Sequence, residues 1–151
     1  WASLDATRGC YVRGGEPSTT SSRMELVAVL EGLRRLPPGG HVLVLSDSQY
    51  VVFAFAKRWL AKWAANGFVD ENGAETKNLD LWMGLLDAIG RFDRVCFRWV
   101  KGHAGMPANE LVDVLAGRAR GETKTESWGS GGWVPATKFQ LSNYWMGGED
   151  G

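Results

Sequence analysis

The sequence lacks several features that would decide its class at once. It has only two cysteines, Cys10 and Cys96, among 151 residues, so it is not a disulfide-stabilised secreted domain, and a reducing cytoplasm is the expected location. No apolar run approaches the roughly 20 residues that a membrane span needs, and the N-terminus has no signal-peptide pattern. We therefore expect a cytoplasmic protein with no membrane partner.

The sequence also has no net charge, because 17 Lys and Arg residues balance 17 Asp and Glu residues. A zero sum argues against binding nucleic acid by bulk electrostatics alone. The charges are unevenly spread, however: Lys57, Arg58 and Lys62 cluster around Trp59 without an acid. Cations interleaved with aromatic side chains suit nucleic acid. On charge alone, a solvated helix face above core tryptophans is still the favoured interpretation.

What is present indicates one α/β domain with a tail. Two short strands are expected within residues 1–16 and further strands at 41–47 and 94–100, with 41–47 apolar enough to be buried on both faces. Helical periodicity follows Ser18–Ser22 up to Pro37, then recurs at 48–65, 79–89 and 107–120. Strands alternating with helices predict an α/β fold over residues 1–121. Residues 122–151 are a Gly- and Trp-rich tail with weak periodicity.

Three carboxylates lie inside otherwise apolar segments, where an unpaired charge is costly: Glu25, Asp47 and Asp113. Strand ends and helix first turns meet at one edge of an open α/β sheet, where ligand sites gather. If the three converge there, hard divalent cations such as Mg²⁺ would relieve their repulsion and could assist phosphodiester hydrolysis. Taken singly, each is better explained by a structural role: Glu25 and Asp113 by the dipole at a helix N-terminus, and Asp47 by a helix N-cap.

His103 lies in a glycine-flanked loop, KGHAG, and is a candidate proton carrier. A solvated loop histidine without a role is as good an interpretation of this residue alone. No Cys/His set has zinc-ligand spacing, and the sequence has neither a Gly-rich phosphate loop nor a G-x-S-x-G nucleophile elbow.

Four blocks, taken together in their order, carry a resemblance. They are residues 20–26 (TSSRMEL), 46–51 (SDSQYV), 99–105 (WVKGHAG) and 109–116 (NELVDVLA). Over residues 1–120 the chain resembles type 1 ribonuclease H. The resemblance implies a ribonuclease H-like mixed five-stranded sheet flanked by helices, and a monomeric endonuclease that hydrolyses the RNA strand of RNA/DNA hybrids. It also implies two Mg²⁺ ions per site, with Mn²⁺ as an alternative.

The resemblance also implies a role for individual residues. Glu25, Asp47 and Asp113 would be catalytic carboxylates that bind metal, and His103 would assist proton transfer or product release. Residues lining the hybrid groove would be Thr20, Ser22 and Gln49, and the basic protrusion would comprise Lys57, Arg58, Trp59 and Lys62.

Two departures from the family pattern leave alternatives open. Ser21 and Ser22 stand where the family has asparagine, and the family's first strand, which carries a fourth carboxylate, does not precede Trp1. That strand could lie upstream or in another chain, or the tail could supply it through residues 138–143, which would put Asn143 in the Asp position. The remaining alternative is a catalytically incomplete module that binds nucleic acid or a protein partner.

Overall fold

Among the helices that the structure describes, the longest is α1 (Ser21–Arg35), which begins within the segment Ser18–Ser22 that precedes the expected helical periodicity. The computed structural model describes residues 1–5, 10–102, 126–127 and 134–135. Thr20 is the N-cap of α1, and its hydroxyl accepts a hydrogen bond of 3.2 Å from the backbone N–H of Arg23. The helix ends before two prolines that cannot continue it. One side of α1 is buried, at Leu26, Leu30 and Leu33.

Four strands confirm the predicted alternation. β1 (Ala2–Asp5) and β2 (Cys10–Arg13) pair antiparallel, with Ala2 opposite Arg13. β3 (His41–Ser46) and β4 (Arg94–Trp99) pair in parallel, with Ser46 opposite Trp99. Because β3 and β4 run in the same direction, both deliver the residues that follow them to the same edge of the sheet.

The expectation that β3 is buried on both faces is wrong. Val42 and Val44 pack against the hydrophobic core, whereas the side chain of Leu43 is 53% exposed. Successive residues of a strand point to opposite faces, and the core lies on one face of β3. A continuous apolar run therefore did not require burial on both sides.

The predicted helix over residues 48–65 is two helices, α2 (Gln49–Ala56) and α3 (Trp59–Ala65). Arg58 separates them with a φ of 58°, the left-handed conformation that commonly ends a helix. The turn re-aims the chain so that Trp59 meets the ring of Phe53 edge-on, with centroids 6.3 Å apart. The break thus changes the direction of the chain at the basic residues Lys57 and Arg58, while Trp59 stays packed against α2.

Helix α4 (Leu79–Ile89) has the predicted bounds. Trp82 and Leu85 are fully buried and join residues of α1, α2 and α3 in the main core. Arg91, just after α4, donates hydrogen bonds of 3.1–3.4 Å to the backbone carbonyls of Leu33, Arg34 and Leu36. Arg91 therefore joins the C-terminal end of α1 to the segment between α4 and β4, in addition to the hydrogen bond by which the Leu36 N–H closes the helix on the Leu33 carbonyl.

The tail contributes two short strands, β5 (Glu126–Ser127) and β6 (Val134–Pro135). Both pair antiparallel with β2, on the edge opposite β1. The segment 138–143, which could supply the family's first strand, lies outside the described residues, as does the helix predicted at 107–120. Among the helices of the described part, none has the length and apolar character to cross a membrane.

Candidate active site

Asp47 lies at the carboxyl end of β3, between that strand and α2. Ser48 follows as the buried N-cap of α2, and its hydroxyl accepts a hydrogen bond of 3.3 Å from the backbone N–H of Val51. The indole N–H of Trp99, at the end of β4, donates to the backbone carbonyl of Asp47 at 3.0 Å. Both parallel strands therefore fix the backbone from which the Asp47 carboxylate projects.

Gly102 is packed directly against that carboxylate. A Cβ atom at position 102 would lie 2.8 Å from Oδ2 of Asp47, closer than real Cβ atoms approach an oxygen. Because Gly102 has no side chain, the Asp47 carboxylate can occupy this position. In the sequence, Gly102 immediately precedes His103.

The other predicted catalytic residues divide into described and undescribed ones. Glu25 lies on α1, half-buried, next to the fully buried Leu26 that anchors this turn in the core. His103 and Asp113 lie outside the described residues. Glu25 thus lies on α1 and Asp47 lies just before the N-cap of α2, and these two helices are in contact.

The predicted groove residues occupy the first turns of the same two helices. Thr20 is the exposed N-cap of α1, Ser22 lies in its first turn, and Gln49 is the exposed first residue of α2. Because the first turn of a helix points backbone N–H groups outward, these positions suit oxygen-rich ligands.

The predicted basic protrusion lies at the α2–α3 break. Lys57, Arg58 and Lys62 are exposed, and Trp59 is half-buried. The ammonium of Lys57 lies 4.3 Å from the ring centroid of Phe53 and 5.9 Å from that of Trp59. These cation–π contacts orient the lysine on an aromatic support, so this segment presents three cations around one indole.

Two further connections join the helices that carry these residues, and neither was predicted. Arg23 on α1 forms a bidentate ion pair with Asp80 on α4, and Tyr50 on α2 contacts Trp82 on α4 through its hydroxyl. The guanidinium of Arg23 lowers the pKa of Asp80 below its usual range, mainly by hydrogen bonding. Asp80 in turn raises the pKa of Arg23. Neither pair could be predicted from local sequence, because its two residues lie far apart in the chain.

The donor set fits a hard divalent cation. Within the described ranges, no three His, Cys, Asp or Glu side chains form a metal-binding group, and Asp113, one of the three predicted ligands, lies outside them. Carboxylate oxygens are the ligands that Mg²⁺ prefers, and the absence of a side chain at Gly102 lets the Asp47 carboxylate keep its position. Glu25 and Asp47 are thus of the right chemical type.

Comparison with known proteins places this arrangement in a family. A family model described as RNase H matches residues 5–120. Ribonuclease H of Nitratidesulfovibrio vulgaris (strain DP4) is 44% identical over 118 residues, which are 77% of this chain and 75% of that protein. Ribonuclease H of Bordetella pertussis is 46% identical over 105 residues, 70% of this chain and 66% of its own length.

Solved structures agree. LC9-RNase H1, described as a type 1 RNase H with the type 2 active-site motif, superposes with a TM-score of 0.68 at 32% identity. The match covers 89% of this chain and 64% of that one. A foamy viral protease-reverse transcriptase, solved in complex with RNA/DNA hybrid, gives a TM-score of 0.57 at 24% identity over 67% of this chain and 14% of its own, a likeness of fold alone. On the sequence matches, the chain belongs to the ribonuclease H family.

Proposed function

We propose that this ribonuclease H hydrolyses the RNA strand of RNA/DNA hybrids, with Asp47 at the centre of its active site. The observation that carries the proposal is the position of the Asp47 carboxylate, at the carboxyl edge of two parallel strands and packed against Gly102, where only a glycine leaves it room. In α/β proteins this edge is where ligands bind. A family match that spans residues 5–120 supports the same assignment.

Two Mg²⁺ ions are proposed as the cofactor, with Mn²⁺ as a substitute. Glu25, Asp47 and Asp113 would hold them, and their carboxylates are the oxygen donors that such ions require. Such ions, when bound, would supply Lewis-acid stabilisation of the scissile phosphate and a water of lowered pKa. His103, flanked by Gly102 and Ala104, would carry a proton during the reaction, since a histidine titrates near neutral pH.

Substrate binding is assigned to two surfaces. Thr20, Ser22 and Gln49 would contact the hybrid in its groove, where the 2′-hydroxyl distinguishes RNA from DNA. The basic protrusion, Lys57, Arg58, Trp59 and Lys62, would neutralise backbone phosphates. Its local positive charge explains how a chain with zero net charge can bind a polyanion.

The remaining assignments concern the whole chain. Residues 1–121 would form the ribonuclease H domain, and residues 122–151 would be a tail that adds β5 and β6 to its sheet. We propose a cytoplasmic location, because only two cysteines among 151 residues suit a reducing compartment, and a monomeric state, which the resemblance to the family implies.

Substitution of Asp47 tests the proposal. Asp47→Asn keeps the side-chain shape but removes the charge, so we expect cleavage of a labelled RNA/DNA hybrid in Mg²⁺ to be lost while the melting temperature is kept. Asp87→Asn, an exposed aspartate of α4, is the matched control and should cleave like the parent protein. RNA/RNA and DNA/DNA duplexes should stay intact. Full cleavage by Asp47→Asn would contradict the proposal, and binding without cleavage by the parent protein would favour the catalytically incomplete alternative.

A further inference from the structure

The hydroxyl of Tyr50 is enclosed by the N-terminal turn of α4. The indole N–H of Trp82 and the side-chain amide of Asn78 donate to it at 3.2 and 3.3 Å. The hydroxyl itself donates to the backbone carbonyl of Lys77 at 3.4 Å. The rings of Tyr50 and Trp82 meet edge-on with centroids 5.4 Å apart. The first turn of α2, where Tyr50 lies, is thereby fixed to the start of α4.

A second set of contacts fixes the same end of α4 to α1. Both terminal nitrogens of Arg23 donate to the two carboxylate oxygens of Asp80, at 3.0 and 2.8 Å. The remaining guanidinium nitrogen, Nε, donates to Glu16 at 3.1 Å. A bidentate guanidinium–carboxylate pair fixes orientation as well as distance. Arg23 also closes the cap of α1, since its backbone N–H bonds to Thr20.

The two contact sets lie directly beside the proposed site. Arg23 is adjacent to Ser22 and two residues before Glu25, and Tyr50 is adjacent to Gln49. We propose that the start of α4 is a positioning element that holds the first turns of α1 and α2 at the spacing the hybrid requires. We call it the α4 brace, and it comprises Lys77, Asn78, Asp80 and Trp82. This inference rests on the proposed function. It makes Asp80, Arg23 and Tyr50 positioning residues for hybrid binding.

The brace acts on binding more than on chemistry. The Arg23–Asp80 pair is solvent-accessible, with side-chain exposures of 27% and 62%, and exposed pairs contribute little to global stability. Loss of the pair frees the first turn of α1, where Thr20 and Ser22 lie. Glu25 stays in place because its neighbour Leu26 is fully buried. Contacts made equally in the ground state and the transition state change KM with little effect on kcat.

The direction in which KM changes in Asp80→Asn distinguishes a positioning role from a bulk charge effect. Removal of a negative charge should by itself tighten the binding of a polyanion. If the brace positions α1, KM for an RNA/DNA hybrid rises about 5–10-fold, and kcat stays within about twofold. Asp87→Asn makes the same charge change on the same helix, and no hydrogen bond or ion pair joins its side chain to the described part of the chain. It should leave KM unchanged or slightly lower.

Two further variants and one measurement without substrate complete the test. Asp80→Glu keeps the carboxylate and should recover most of the lost affinity, whereas Tyr50→Phe removes the hydroxyl contacts and should raise KM. Amide hydrogen exchange should quicken at residues 21–25 in Asp80→Asn and at 49–52 in Tyr50→Phe, and not in Asp87→Asn. A KM for Asp80→Asn equal to or below that of Asp87→Asn, or unchanged exchange at residues 21–25, would overturn the inference. If the parent protein cleaves nothing, the proposed function fails, and hydrogen exchange still decides whether the brace exists.

Discussion

Replacement of Gly102 by alanine tests the proposed site, because it adds a single carbon atom next to the Asp47 carboxylate. The new Cβ would lie 2.8 Å from Oδ2 of Asp47, whereas a carbon and an oxygen in ordinary contact are about 3.3 Å apart. The carboxylate must therefore retreat by about 0.5 Å, which is the tolerance within which a metal or catalytic group has to be held. Because the displaced atom ends a side chain, the protein can absorb the change by rotating the carboxylate.

We expect Gly102→Ala to separate activity from stability. Displacement of a metal ligand on this scale should weaken Mg²⁺ binding about 10–100-fold and lower kcat for hybrid cleavage by up to about 100-fold. The free energy of unfolding should change by only about 0.5 kcal/mol. Calorimetric titration with Mg²⁺, cleavage of a labelled hybrid across Mg²⁺ concentrations, and the melting temperature give the three quantities.

Gly90→Ala is the matched control, because its Cβ would meet the backbone carbonyl of Asp87 at an ordinary 3.4 Å. It should bind Mg²⁺ and cleave as the parent protein does. If Gly102→Ala also binds Mg²⁺ with unchanged affinity and cleaves at the parent rate, the Asp47 carboxylate is not the metal ligand that we propose.

Three other predictions concern the helices around the site. Arg91→Ala removes three hydrogen bonds to the end of α1 and should lower the free energy of unfolding by about 1 kcal/mol, or Tm by about 3 °C, in a thermal melt; an unchanged Tm would contradict this. Lys62→Ala should raise KM for the hybrid and reduce the slope of log affinity against log salt by about 1, and an unchanged slope would place Lys62 away from phosphate. Because Arg23 lowers the pKa of Asp80, the pair's small contribution to stability should be complete above about pH 4 and lost as the pH falls through the lowered pKa. An Asp80→Asn protein should lack that dependence when unfolding is followed against pH.

Much of the fold was predictable because local signals agree with tertiary packing. The cap at Thr20 and the buried spacing of Leu26, Leu30 and Leu33 define α1, and the same periodicity defines α4. The place of Asp47 at the end of β3 was likewise predictable from the apolar run, whereas the alternative that Asp47 caps the next helix is wrong, because the N-cap of α2 is Ser48.

The break between α2 and α3 was not predictable from local signals. Every residue near position 58 has an acceptable helix propensity, and neither glycine nor proline marks the turn. The break exists because Trp59 and Leu60 pack inward, and tertiary contacts of this kind override weak local preferences. Leu43 shows the converse, an apolar residue that the fold leaves exposed.

The connections around the site were missed because they join distant parts of the chain. Asp80 is 57 residues from Arg23, and Trp82 is 32 residues from Tyr50. Periodicity and capping rules act over a few residues and carry no information on such pairs. The contact of Gly102 with Asp47 had a partial signal, since a glycine between a strand and a functional loop often marks close approach of another group.

The tail strands have a consequence for the solubility of shortened forms. β5 and β6 together occupy the outer edge of β2 at all four of its residues, from Cys10 to Arg13. A protein cut after residue 121 would keep every proposed site residue but would leave that edge with unpaired N–H and C=O groups. Exposed edges of this kind template pairing between molecules. By pairing with β2, the tail strands prevent this edge-to-edge association. A protein of residues 1–121 should therefore self-associate at concentrations at which the 151-residue chain does not.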